Sequence, residues 1–216
     1  MYPPKGATEP RPNCSLCPRL VQFRTENQAA HPSFYNGAVQ SFGSMDARHL
    51  ILGLAPGLKG ANRTGRPFTG DFSGELLYKC LDKIGLSNQQ NQNRPDDEYK
   101  LTDTLITNAV RCVPPQNKPT TEEVKKCRPY LTNLIGSMPN LTVIFALGKV
   151  AHDALLRTYG LTLAHYKFAH NIVHTLPNGL VLVDSYHCSR YNVNTGVLTE
   201  TMFMQALQTM RKTRTL

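Results

Sequence analysis

Apolar positions in this chain fall into two patterns. HLILGLA (49–55), TLITNAVRC (104–112) and LTVIFALG (141–148) are short apolar runs that end in turn or polar residues. They read as buried strands. NIVHTLPNGLVLVDSYH (171–187) holds two more strand-like runs around a PNG turn, the second of them, LVLVDS, buried. Between the runs, apolar residues recur at helical spacing. The segments are CPRLVQFRTENQAA (17–30), SGELLYKCLDKIGL (73–86), TTEEVKKCRPYLTNLIGSM (120–138), KVAHDALLRTYG (149–160) and TGVLTETMFMQALQTMRKTRT (195–215). Ser73 is placed to cap the second of these, with Gly85 near its end, and Thr plus Glu open the third. The last runs into a basic tail. Residues 31–48 and 88–99 read as loop.

Apolar strands alternating with helices predict an α/β fold: a mainly parallel sheet covered on both faces. Ligands in such sheets bind beyond the carboxyl ends of the strands. The unusual polar segments 53–71, 107–112 and 184–192 lie at such ends.

The chain has 216 residues, enough for one domain with a real core, and 40% of them are hydrophobic. No apolar run approaches the ~20 residues of a membrane helix. MYPPKGATEPRP lacks the apolar stretch of a signal peptide and reads as a flexible head over 1–12, before a single domain over 13–216. Lys and Arg number 24 against 15 Asp and Glu, a net charge of +9. That balance favours a polyanion, nucleic acid first.

GLAPGLKGANRTGRPFTGD (53–71) matches neither the Walker phosphate loop nor G-x-G-x-x-G. Its glycines allow backbone to come close to a ligand, its cations suit an anionic one, and Phe68 among them suits a stacked base. Six cysteines without a secretory signal argue against disulfides. Cys14 and Cys17 form C-x-x-C, and Cys112 and Cys127 form C-x14-C. Four such thiols suit zinc or an iron–sulfur cluster, and the spacing leaves both open. YHCSRYN (186–192) puts His187 just past a strand end. HPSFYN (31–36) has similar letters but precedes the first strand, outside the expected site.

Taken together, GLAPG with GANRTGRPFTGD, NAVRC-x-PP, the C-x14-C pair and the late H-x-S-x-x-N resemble the iron–sulfur uracil-DNA glycosylases, most closely family 5, the type B branch. The resemblance spans roughly residues 13 to 205. It implies a three-layer α/β/α sandwich around a four-stranded parallel sheet, and a [4Fe-4S] cluster on Cys14, Cys17, Cys112 and Cys127. It also implies a monomeric, cytoplasmic, nucleoid-associated enzyme that excises uracil, and in this branch hypoxanthine and other deaminated bases, from DNA. Leu54 stands where family 4 carries Glu, and Ala55 where family 1 carries its catalytic Asp. Cys188 replaces the proline of the usual H-P-S, a change expected to loosen that loop.

Breaking the bond between sugar and base puts positive charge on the sugar and negative charge on the base, so an anion and hydrogen-bond donors are needed. The base must first leave the duplex. On that chemistry Asp71 is the candidate carboxylate, although capping the helix near Ser73 would also employ it. His187 would donate to the departing base, Asn108 would read its polar edge, and Phe68 would stack on it. Leu54, Ala55 and Ser189 would line the pocket. Arg63 and Arg66 would hold phosphates, with Arg190 and Tyr191 entering the vacated stack. A monofunctional reaction leaving an abasic site is expected; a bifunctional lyase would need a nucleophilic amine in the pocket, for which Lys59 is the nearest candidate. The rival reading is a non-catalytic, zinc-containing nucleic-acid-binding protein.

Overall fold

The computed structural model describes residues 6–213. Its centre is a sheet of β1 (Phe42–Gly43), β2 (His49–Gly53), β3 (Thr104–Asn108), β4 (Val143–Leu147), β5 (Val173–Thr175) and β6 (Val181–Ser185), in the order β1-β3-β2-β4-β6-β5. The four expected strands, β3, β2, β4 and β6, are parallel neighbours. The sheet is wider than the expected four because β1 and β5 add short antiparallel edges. A two-residue strand inside the loop-like 31–48 carries no periodicity to read.

Every residue of the four parallel strands is buried. Alternation along each strand sends side chains to two cores. Ile51, Ile106, Phe145 and Val183 face one side, where they meet Leu77 and Leu81 of α3 (Phe72–Lys83) and Phe203 and Leu207 of α7 (Glu200–Lys212). Leu50, Leu52, Leu105 and Ile144 face the other, against Leu131 and Leu134 of α4 (Thr121–Gly136) and Leu155 of α5 (Lys149–Thr158). These are the three layers, α on β on α. No helix among the described residues is long and apolar enough to cross a membrane.

Local chemistry fixes the helix ends. Thr120 and Glu123 close a reciprocal capping box at α4, and Glu123 also binds Arg19 of α1 (Pro18–Ala30) at 2.7 Å. That ion pair draws the start of α1, with Cys17 beside it, to the helix that carries Cys127. At α3 the cap is Asp71 and not Ser73: the carboxylate Oδ1 accepts from the Gly74 amide at 3.1 Å. Two short helices, α2 (Ala61–Thr64) and α6 (Arg190–Asn194), escape sequence reading because one turn has no period. The last helix starts at Glu200, with Thr199 as its cap, later than the apolar pattern suggested.

The expected flexible head behaves differently where it is described. Residues 1–5 lie outside the described residues, as do 214–216 at the end of the basic tail. From Ala7 onward the segment is tied down. Glu9 pairs with Arg111 at 2.8 Å and accepts the Ser41 amide, Asn133 donates to the Ala7 carbonyl, and the Ala38 amide donates to Pro12. The cause is Arg111, a strand-end guanidinium only 1% exposed that needs a counter-charge. Glu9→Ala should therefore leave a buried, unpaired cation. Glu9 keeps some solvent access, so we expect a loss of about 2 kcal/mol, below the usual 3–5 for a fully buried pair. Urea unfolding checks this, with Glu9→Gln expected to lose less because it retains an acceptor.

Candidate active site

The carboxyl ends of β2, β3 and β6 open into one cavity of about 320 Å³. Its walls are the segment after β2 (Leu54, Ala55, Pro56, Gly57, Ala61, Phe68, Asp71 and Ser73), Asn108 and Asn117 after β3, and His187 and Ser189 after β6. All seven residues expected to do chemistry or bind substrate thus share one cavity.

The segment from 53 to 71 wraps the cavity closely, and two glycines show why. A side chain at Gly60 would collide with the Asp71 carboxylate, and one at Gly53 would collide with Asn108 Oδ1 and the Phe68 ring. Asp71 caps α3 and still lines the cavity. Its Oδ1 caps α3, and its Oδ2 lies over Gly57 and Gly60. Capping fixes the carboxylate's orientation at no cost to the second oxygen. Phe68 is held at φ 52°, a left-handed conformation rare for an aromatic residue, with its ring centroid 6.3 Å from that of His187.

Asn108 ends β3, opposite Gly53 in register. It is 3% exposed, and its Oδ1 has no hydrogen-bond partner. A buried orphan oxygen facing a cavity is costly unless a ligand meets it. His187 lies behind Phe68 and against Gly148. Burial lowers its pKa, against the opposing pull of the Asp71 carboxylate, so the ring is neutral near pH 7.

The loop that follows is anchored, not loosened. Cys188 is fully buried and its thiol donates to the Ser73 carbonyl at 3.4 Å, stitching the loop to α3 where a proline was expected to be missed. Asn192 donates to the His187 carbonyl at 2.8 Å, and Ser189 caps α6 by accepting the Asn192 amide. Arg190 and Tyr191 stand outside the cavity. The Arg190 guanidinium lies over the Phe72 ring at 5.3 Å, and Tyr191 is 73% exposed.

The two expected phosphate-binding arginines part company. Arg63 is exposed and donates to the Gly70 carbonyl. Arg66 is turned inward, 6% exposed and paired with Asp97, so the structure corrects its assignment to phosphate. HPSFYN lies beside the site without lining it: the Tyr35 amide donates to Arg63, and Asn36 and Asn62 are joined through backbone and side chain. Asn117 was missed altogether. It follows two prolines in the loop after β3 and sits at φ 56°. The only signal for it was an asparagine, tolerant of that conformation, in a Pro-rich segment beyond a strand end.

A second, closed cavity is lined by Cys14, Cys17, Cys112 and Cys127 with Pro10, Leu16, Leu20, Val110, Arg111 and Tyr130. Among the described residues no group of three or more His, Cys, Asp or Glu side chains is placed to hold a metal ion. All four cysteines nevertheless line this one cavity, near enough for their thiols to influence one another's ionisation. Burial pushes Cys112 up to about 12 and Cys127 up to about 11, with the neighbouring thiols adding to both. The Arg111 guanidinium and backbone amide act the other way on Cys127. Four crowded thiols in apolar surroundings fit a cationic centre that takes them as thiolates.

The family model of the Uracil DNA glycosylase superfamily matches residues 40–211. The chain belongs to that superfamily. Within it the similarity runs to type 5. The chain is 43% identical over 204 residues to the type-5 uracil-DNA glycosylase of Thermus thermophilus, covering 92% of this chain and 93% of that protein. It is 38% identical over 200 residues to the type-5 uracil-DNA glycosylase of Pyrobaculum aerophilum, at 91% and 87% coverage. To that organism's type-4 uracil-DNA glycosylase it is 34% identical over 149 residues, 68% of this chain and 62% of that protein.

A pH profile tests the state of His187. Its folded-state pKa lies below the ordinary 6.5, so the neutral ring persists as pH falls through that value and protonates only further down. Activity that depends on neutral His187 should hold level from mildly alkaline pH to about 6.5 and fall in more acid solution. Stability should decline over the same acid window, because the unfolded chain takes up the proton first. His187→Gln should abolish the acid limb of the rate profile. Survival of that limb unchanged would assign it to another group.

Proposed function

We propose that this chain is a DNA repair enzyme that extrudes uracil from DNA and hydrolyses the bond between the sugar and the base, leaving an abasic site. The observation that carries the reading is the convergence of Phe68, Asp71, Asn108 and His187 on one cavity at the strand ends. The extruded base stacks on Phe68. The orphan Oδ1 of Asn108 accepts from the base's polar edge, and the neutral imidazole of His187 donates to the oxygen that gains charge as the bond breaks. The free oxygen of Asp71 stabilises the cationic sugar or orients the water, whose hydroxyl joins the sugar while its proton goes to the base. Asn117 and Ser189 add polar groups to the same wall. Leu54 and Ala55 contribute no charge, which leaves the pocket open to hypoxanthine as well.

The net charge of +9, the exposed Arg63 and Arg190 and the protruding Tyr191 support DNA as the partner of the single catalytic domain, a monomer acting in the cytoplasm. Tyr191 enters the vacated stack. Cys14, Cys17, Cys112 and Cys127 would hold a [4Fe-4S] cluster. Bound there, the cluster would supply a cross-link between the N-terminal segment and the loop and helix after β3. Cys112 and Cys127 bracket the segment that carries Asn117 to the cavity. The zinc-containing, non-catalytic alternative is not favoured, since it leaves the assembled cavity without a use.

Two measurements test the reading. Purified protein should be brown, and replacing Cys127 with Ala should bleach the visible absorption, whereas a colourless wild type would point away from iron. Base release from uracil-containing duplex should fall on the order of 10²-fold or more in both Asp71→Asn and Asp71→Ala. Asn still caps a helix, so the Asn variant should lose activity while keeping stability, and the Ala variant should lose both. Near-normal excision by both would remove Asp71 from the chemistry. Borohydride should trap no covalent DNA adduct, because no lysine lines the cavity and Lys59 is exposed.

A further inference from the structure

The polar loop 88–99 looks like a simple connection in the sequence. In the structure it grips the segment that presents Phe68 and Asp71. Arg66 reaches across with a two-pronged contact to Asp97, Nη1 to Oδ1 at 2.5 Å and Nη2 to Oδ2 at 3.2 Å. Its third nitrogen, Nε, donates to Thr69 Oγ1 at 2.8 Å, within its own turn. The guanidinium lies over Phe42, Tyr78 and Tyr99, 4.9, 5.7 and 5.8 Å from the three ring centres. Asp97 is fully covered and also accepts the backbone amides of Gln92 and Tyr99, which pins its own loop. Asn93 of the same loop accepts the Gly70 amide at 2.6 Å. The Tyr78 hydroxyl donates to the Pro67 carbonyl at 2.8 Å.

Residues 66, 67, 69 and 70 are thus each held, two on either side of Phe68. Phe68 itself lies in the left-handed region, a costly conformation that persists only where the surroundings over-determine it. A buried ion pair is a poor choice if stability were the aim, since apolar side chains of similar volume often do as well or better. What the charged fork supplies is direction. We propose that Arg66, Asp97 and Asn93 are positioning residues: through the 66–70 backbone they set the stacking face of Phe68 and the carboxylate of Asp71 against the extruded base. This rests on the excision reading above.

The test uses full-length protein with its normal metal content and two variants, Arg66→Lys and Asn93→Ala. Lysine keeps the charge but loses the fork, the bond to Thr69 and the stacking on the rings. Asn93 is only partly buried, so its replacement keeps the assay interpretable if Arg66→Lys fails to fold. We expect single-turnover excision of uracil at saturating enzyme to slow on the order of 10- to 100-fold, the scale of an ångström-sized misplacement. Affinity for duplex carrying an abasic analogue, and its slope against log salt, should not move. A salt slope lower by about one in Arg66→Lys would mean a lost phosphate contact and would overturn the proposal. So would a normal single-turnover rate in the folded variants with only the melting temperature lowered. Absence of base release by the wild type would instead remove the excision reading, and this proposal with it.

Discussion

A parallel sheet buried on both faces has nowhere to put a functional group except at the ends of its strands. Ile51, Phe145 and Val183 fill one core, and Leu50, Ile144 and Leu182 fill the other, so no polar side chain can emerge mid-strand without a partner. The chain meets that constraint at the carboxyl ends of β2, β3 and β6, where Gly53, Asn108 and Ser185 hand over to the loops that build the cavity. The register that pairs Gly53 with Asn108 also brings the glycine segment over the amide, and Gly53 has to lack a side chain for that approach.

Charge is handled by the same economy of partners. One oxygen of Asp71 satisfies a helix start and thereby aims the other at the cavity. Glu9 answers the buried guanidinium of Arg111, which in turn flanks the thiol cradle at Cys127. Asp97 answers Arg66. In the last two cases a charge that looks free in the sequence is committed to a specific partner far along the chain. Those commitments hold the N-terminal strap, the thiol cradle and the substrate segment in place.

The cavity's electrostatics suit a bond that breaks into a cation and an anion. A carboxylate and an imidazole both line the cavity, and burial lowers the histidine's pKa so that the ring is neutral near pH 7. Both residues lie within the stretch, 40–211, that matches the uracil-DNA glycosylase superfamily. The exposed Tyr191 and its neighbour Arg190 face outward, away from the cavity.

Much of this was legible from residue order alone. Short uninterrupted apolar runs located the four parallel strands and period-3.6 patterns the five longer helices, because burial on two faces or one writes itself directly into sequence. The cavity-lining residues Asp71, Asn108 and His187 could be picked out because each sits at or just past a readable strand or loop motif. Tertiary structure alone decided the rest. The sequence has no local mark for a two-residue edge strand, for a one-turn helix, or for which of Arg63 and Arg66 faces solvent. Asn117 and the anchored Cys188 belong to the same class. An ion pair between residues 66 and 97, or 9 and 111, is set by which surfaces the packed layers bring together, and that geometry exists only after the chain has closed on itself.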